Sequence, residues 1–241
     1  MFEQFPKKRI PLPKAYEDIF SDYWKINRGG KTFVLSLSKR MESWMHKQVA
    51  KDLLIDKGEQ STLEIGAGSL NQLQYEAAVG PYDIVEPSVL VGDESPLLRR
   101  IRNTYSDISE INHAQKYDRI TSIASFEHIC NLPSVIAKTG ILLSPNGELR
   151  VAIPSEGTPL WALSYRITTG LEFRIKYGLD YSVLMRYVHV NTAIEIEELL
   201  RFFYDCVKVK FFGISKYISF YQFFECRSPV IENCKNYLDR E

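Results

Sequence analysis

Apolar and polar positions along this 241-residue chain switch between two periods. Short apolar runs near 61–66, 81–86, 105–109, 118–124 and 148–153 have the length and composition of buried strands. The segments 70–79, 94–104, 133–143 and 193–204 suit helices. Strands alternating with helices predict a doubly wound α/β sheet, mostly parallel, with helices on both faces. Ahead of the first strand, residues 37–56 predict an amphipathic helix. Leu37, Met41, Trp44, Met45, Ala50 and Leu53 fall on one side, and Lys39, Glu42, Lys47 and Lys51 on the other. Pro133 suits a first helical turn, and Pro145-Asn146-Gly147 marks a turn before a strand. Thr192 and Glu195 form a capping box, followed by a core stripe of Ile196, Leu199, Leu200 and Phe203. Residues 206–213 and 217–226 read as two strands joined around Ser215.

Three divisions follow. Residues 1–60 make an arm and a helix, with Pro6, Pro11 and Pro13 keeping the start extended and Gly29-Gly30 breaking it before the helix. Residues 61–226 form the main domain, interrupted at 155–190 by an insertion. Within the insertion, Thr158-Pro159 suits a helix start and Gly178 a stop, so two helices are expected. Residues 227–241 form a tail.

Composition narrows the function. Lys+Arg and Asp+Glu both count 30, so net charge is zero. Nucleic-acid binders carry a basic excess, so RNA and DNA are disfavoured as partners. The local cluster Lys7, Lys8 and Arg9 reads as a solvated arm. No apolar leader opens the chain and no run is long enough to span a bilayer, so a cytoplasmic location is expected. Cys130, Cys206, Cys226 and Cys234 lack ligand spacing. Free thiols and no metal are expected. His46 reads as a surface or core side chain and His113 as a surface one.

The richest stretch is Thr62-Leu63-Glu64-Ile65-Gly66-Ala67-Gly68-Ser69. A strand, a glycine turn and a second strand ending at Glu86 build a nucleotide crevice. Glu86 follows Glu64 by about 20 positions, the step expected for an acid that holds ribose hydroxyls. Asn71 stands where a dinucleotide fingerprint has its third glycine. Glu64, inside the strand, would repel a diphosphate but suits a ligand carrying an ammonium and a sulfonium.

The pattern E-x-G-x-G resembles motif I of the class I S-adenosylmethionine-dependent methyltransferases, with Leu70 at that family's third glycine. Tyr117-Asp118-Arg119-Ile120-Thr121-Ser122-Ile123-Ala124-Ser125-Phe126-Glu127-His128-Ile129 looks like its fourth strand and loop. The turn Ser144-Pro145-Asn146-Gly147 into Glu148-Leu149-Arg150-Val151 looks like its fifth. The resemblance covers roughly residues 60–226. It implies a Rossmann-like sheet with an antiparallel C-terminal edge hairpin. The stretches from Arg186 to Thr192 and from Phe220 to Cys226 look like bacterial methyltransferases of polysaccharide and sugar pathways.

Roles carried over from that family follow its motifs. S-adenosylmethionine is the implied cofactor and S-adenosylhomocysteine the product. Glu64 would organise the loop for the methionine amino group, and Gly66, Ala67 and Gly68 would admit the ligand. Glu86 and Pro87 would meet the ribose. Asp107 and Ile108 would meet the adenine, and Ile123 would line the cleft. The helix before the sheet either covers the cofactor cleft or packs on the sheet. His128 is a candidate general base, or else it starts a helix and bonds the backbone. His189 is the second candidate base, or else a loop tether.

Glu127, Trp161, Tyr165, Arg186 and Tyr187 are the candidate acceptor-binding residues. Aromatic faces stack on sugars and arginines grip anions. The expected acceptor is a small polar or glycan-type molecule, a sugar or nucleotide-linked sugar hydroxyl first. Three other readings stay open: a nicotinamide oxidoreductase, a cofactor-binding scaffold without catalysis, and an insertion resting on a membrane surface. Oligomeric state is open.

Overall fold

The computed structural model describes residues 2–20, 33–54, 58–76, 80–87 and 95–240, with side chains of the helix opening at Phe33 described from residue 41 onward. The break expected at Gly29-Gly30, the side chains of Leu37 and Lys39, and the ends of the segments 37–56, 70–79 and 94–104 that fall at 55–56, 77–79 and 94 lie outside these residues.

The strands are β1 (Thr62–Ile65), β2 (Tyr82–Val85), β3 (Asn103–Tyr105), β4 (Tyr117–Ile123), β5 (Leu143–Pro154), β6 (Tyr204–Ser215) and β7 (Ile218–Pro229). They form a single sheet in the order β3-β2-β1-β4-β5-β7-β6. The first five strands run parallel, and β7 runs antiparallel to both β5 and β6. Every residue of β1 and β2 is buried, which is why these strands read as continuous runs and not as alternation. Strand order reverses between β1 and β4, and a crevice opens at their carboxyl ends.

Helices cover both faces. On one side, α2 (Phe33–Ala50) sets Met45 and Val49 against Ile123, Ala152, Tyr221 and Phe223. Its last carbonyls have no intrahelical partners. Arg119 and Arg150 of the sheet donate to Val49 O at 3.0 and 2.8 Å, and Arg150 donates to Gln48 O at 2.7 Å. Arg119 is fully buried and also pairs with Asp52 and Glu76, both at 2.7 Å. On the other side, α3 (Leu132–Leu142), α7 (Ala193–Phe203) and α8 (Ile231–Leu238) pack the larger core through Ile136, Leu199, Phe203 and Cys234. The Thr192–Glu195 capping box forms as expected.

Several elements differ from expectation. The helices expected over 70–79 and 94–104 are short 3-10 turns, Asn71–Gln74 and Pro96–Arg100. Leu70 enters its turn in the left-handed conformation (φ 59°), which prevents a regular helix from starting there. The third strand lies earlier than 105–109, because the Asp107 side chain caps Ser109 N–H at 2.8 Å and turns the chain. The insertion holds three helices where two were expected: α4 (Pro159–Ile167), α5 (Thr169–Tyr177) and α6 (Tyr181–Val188). Residues 14–20 of the arm form a helix, α1. Its Tyr16 packs on Phe173 of α5. Among the described residues, no helix is long and apolar enough to cross a membrane.

The basic cluster near the start is only in part a solvated arm: Lys8 is exposed, while Lys7 and Arg9 are bonded to the body of the chain. Lys7 N–H donates to Cys130 O at 2.9 Å, and the Lys7 ammonium binds Glu195 at 2.6 Å and Val190 O at 2.8 Å. Arg9 donates to His128 O and Tyr187 O, both at 2.7 Å. Four carbonyls that a bare loop would leave to water are thereby satisfied by this arm.

Candidate active site

The glycine turn after β1 is held from two directions. Gly66 has φ +72°, and a Cβ there would sit 2.1 Å from Ser125 Oγ. Only glycine lets β1 and the loop after β4 approach so closely. Gly68 (φ +50°) has open space around it, and its amide donates to Glu86 Oε2 at 2.8 Å. Ala124 is also left-handed (φ 47°), a strained conformation at the cleft.

Two cavities meet here. One, about 650 Å³, is lined by Gly66, Gly68, Glu86, Pro87, Asp107 and Ile108. The other, about 430 Å³, is lined by Glu64, Ala67, Ile123, Glu127, Trp161 and His189. Gly66, Gly68, Ala124 and His128 line both.

Glu64 lies beneath the turn, 3 % exposed, and accepts from the Tyr82 hydroxyl at 2.8 Å. Burial pushes its carboxyl up to about 8. Neutral at pH 7 without a ligand, it becomes a charged partner only when a cation comes to it.

His128 and His189 are brought together by Asn191. This fully buried side chain donates to Phe126 O at 2.8 Å and Ile129 O at 2.7 Å. The Val190 and Asn191 amides donate to Glu127 O. The loop after α6 is thus fastened to the 3-10 turn Phe126–His128, and the two imidazole centroids stand 4.9 Å apart. His128 Nδ1 donates to Val188 O at 3.0 Å, and His189 Nδ1 donates to Glu156 Oε2 at 2.6 Å. Burial lowers the His128 pKa, keeping the ring neutral. For Glu156, burial raises the carboxyl, but the His189 hydrogen bond and charge outweigh it and hold the group below its ordinary value.

The remaining candidates divide. Trp161 faces the smaller cavity, with its indole N–H on Glu156 Oε2 at 2.8 Å and its ring edge-on to Tyr221. Tyr187 lines the larger cavity, under the Arg9 guanidinium. Tyr165 packs on Tyr181 and lines neither cavity, and Arg186 is exposed on α6 and lines neither. His46 lines the smaller cavity, stacked on Tyr75 and bonded to Gln72 Oε1 at 2.8 Å. His113 is exposed. Glu42, Glu156, Tyr221 and Arg9 were not among the sequence candidates. Tyr221 lies within the Phe220-to-Cys226 stretch and Glu156 just past the fifth strand, while Arg9 and Glu42 lie far from both, and no spacing along the chain links the four.

No family model matches the chain. It is 26 % identical over 171 residues to uncharacterized methyltransferases of Mycobacterium tuberculosis and Mycobacterium bovis, covering 65 % of this chain and 84 % of theirs. The solved plantazolicin methyltransferase BpumL, in complex with a desmethyl substrate analogue and S-adenosylhomocysteine, superposes with a TM-score of 0.57 at 14 % identity. That match covers 88 % of this chain and 93 % of BpumL. The Burkholderia thailandensis 1,6-didemethyltoxoflavin-N1-methyltransferase gives a TM-score of 0.57 at 16 % identity, covering 92 % and 93 %. These structures share the fold, and none of the proteins named here is a nicotinamide oxidoreductase. The chain is thus similar in sequence to the mycobacterial methyltransferases and shares its fold with the solved ones, with the E-x-G-x-G turn at the switch point of that sheet.

Proposed function

We propose that this chain moves the methyl group of S-adenosylmethionine to a hydroxyl of a small polar, sugar-like acceptor. The carrying observation is the pair of cavities joined at Gly66, Gly68, Ala124 and His128. Adenosine occupies the larger one, with Glu86 accepting from the ribose and Asp107 and Ile108 against the base. The methionine end passes the glycine turn above Glu64, and the acceptor fills the smaller cavity.

A sulfonium is already an activated donor, so the protein's work is alignment, water exclusion and removal of one proton. His128 stands at the junction with Nδ1 on a carbonyl, so its Nε2 is the basic nitrogen. It takes the hydroxyl proton as the oxygen attacks the methyl. His189, with Nδ1 on Glu156, is the alternative base from the opposite wall. Trp161 and Tyr221 offer flat faces for a sugar ring.

Among its described lining residues the acceptor cavity has Glu42, Glu64 and Glu127 and no arginine or lysine. A phosphate would find no cationic side chain to hold it there, so the acceptor is an unphosphorylated polyol and not a nucleotide-linked sugar. The same acidity favours one second reading, an amine acceptor drawn in as its ammonium. A screen with labelled methyl donor over neutral glycosides, nucleotide sugars and amines tests this. Label on glycosides, reduced in His128→Ala and His189→Ala, is the expected result. Label only on amines shifts the assignment to the second reading, and label on nothing while S-adenosylhomocysteine binds returns the chain to a silent scaffold.

A further inference from the structure

The wall of the acceptor cavity holds more than a general base requires. Glu127, His128 and His189 each offer one donor atom, and the three atoms all lie within 4.8 Å of one another. Both imidazoles have their outer nitrogen occupied. His128 Nδ1 donates to Val188 O at 3.0 Å, and His189 Nδ1 donates to Glu156 Oε2 at 2.6 Å. A neutral ring anchored this way keeps its lone pair on Nε2. A carbonyl on one ring and a carboxylate on the other are the outer partners that orient metal-bound histidines.

The third donor supplies an independent observation. Glu127 is 1 % exposed, and its Oε2 has no hydrogen-bond partner among the described residues. Its Oε1 lies 3.8 Å from His128 Nε2. A buried carboxylate oxygen without a donor is costly unless a positive charge compensates it.

We propose that Glu127, His128 and His189 form a divalent transition-metal site with an open position toward the acceptor. Two imidazoles and one carboxylate suit zinc, cobalt or iron and not magnesium or calcium, which prefer all-oxygen shells. Zinc at about 2.0–2.2 Å from each ligand sets the donors roughly 3–3.5 Å apart, so modest ring rotations close the present spacing. The site stands on this geometry alone. Its role rests on the function proposed above: with both Nε2 lone pairs on the metal neither imidazole is the base, and the metal instead lowers the pKa of the bound hydroxyl, whose proton leaves to solvent.

The test is a cobalt(II) titration of the full chain, followed by visible absorption after chelator treatment, with zinc as competitor. One cobalt per chain, displaced by zinc, is expected. His128→Ala and His189→Ala should each weaken it at least about 100-fold, and Glu156→Gln about 10- to 100-fold through the lost outer hydrogen bond. Retained thermal stabilisation by S-adenosylhomocysteine in His189→Ala shows that this variant is folded. No binding at millimolar cobalt overturns the site. So does unchanged affinity in the His128→Ala, His189→Ala double variant, or an intense thiolate band marking Cys130 or Cys206 instead. Cobalt binding without S-adenosylhomocysteine binding would leave the metal site standing and remove the proposed function. The reverse result would do the opposite.

Discussion

Glu86 reaches back across the crevice to accept the Gly68 amide at 2.8 Å, so the acid that ends β2 braces the turn that follows β1. One carboxylate can serve both the loop and a ribose, because its two oxygens accept several bonds. Glu86→Ala should therefore remove ligand contacts and loosen the turn together. We expect S-adenosylhomocysteine affinity to fall by about 1.5–3 kcal/mol, roughly 10- to 150-fold by calorimetry, for lost charge-assisted bonds. An unchanged dissociation constant would contradict the placement of the ribose.

Gly66 and Ser125 form a steric lock. An alanine at 66 pays a left-handed backbone cost of about 1–2 kcal/mol. Its Cβ also overlaps Ser125 Oγ at 2.1 Å and Cβ at 2.5 Å, and overpacking of this kind costs about 1–3 kcal/mol. Gly66→Ala should lower the urea midpoint, and adding Ser125→Gly should restore the overpacking share only. Full additivity of the two substitutions would show that they do not touch.

Arg119 joins Asp52, Glu76 and the end of α2 in a buried cluster. Arg119→Met takes the ion-pair partner from buried Glu76 and leaves Asp52 with Arg150 alone, 3.2 Å away, at a cost of about 3–5 kcal/mol. Burial already raises the Asp52 carboxyl above its ordinary value, with Arg119 the main opposing influence. The loss should therefore shrink in acid, where that carboxyl takes up a proton. Urea curves at pH 5 and pH 8 provide the comparison.

Glu64 predicts an unusual pH response. Its folded value, about 8, lies above the ordinary 4.5. Between those values the folded chain holds a proton that the unfolded chain has released. The group's contribution is thus present in acid and is lost as pH rises toward 8, by an amount on the order of a few kcal/mol. Glu64→Gln should flatten the melting temperature across pH 5–8 relative to the parent chain. Parallel curves for the two would remove Glu64 as the source.

Leu70 stands in the left-handed region at φ 59° and is fully buried. Leu70→Gly relieves about 1–2 kcal/mol of strain. It also empties a core position, which costs about 2–5 kcal/mol. Packing should win, and thermal unfolding should move to lower temperature.

The chain's local order carried the sheet. β1, β2 and β4 are short apolar runs between turn signals, and the α7 capping box uses residues three apart; β5 instead continues through the expected Pro145-Asn146-Gly147 turn to span Leu143–Pro154, with an irregular register against β4. Such signals act within a few positions, so they survive in one dimension. The regions around 70–79 and 94–104 did not follow their pattern, because backbone geometry at Leu70 and proline at Pro96 outweighed weak periodicity. The meeting of Gly66, Gly68 and Glu86 at one cavity was legible for the same reason, since they belong to one strand-turn-strand unit, and their use as a cofactor site is the reading proposed above. The acceptor side was not. His128 meets His189 only because Asn191 stitches two loops, and Arg9 reaches the cleft only because the arm folds back. Those contacts join positions far apart along the chain, so no local spacing encodes them. They exist once burial and hydrogen bonding between distant segments have been satisfied together, and that is a property of the folded molecule alone.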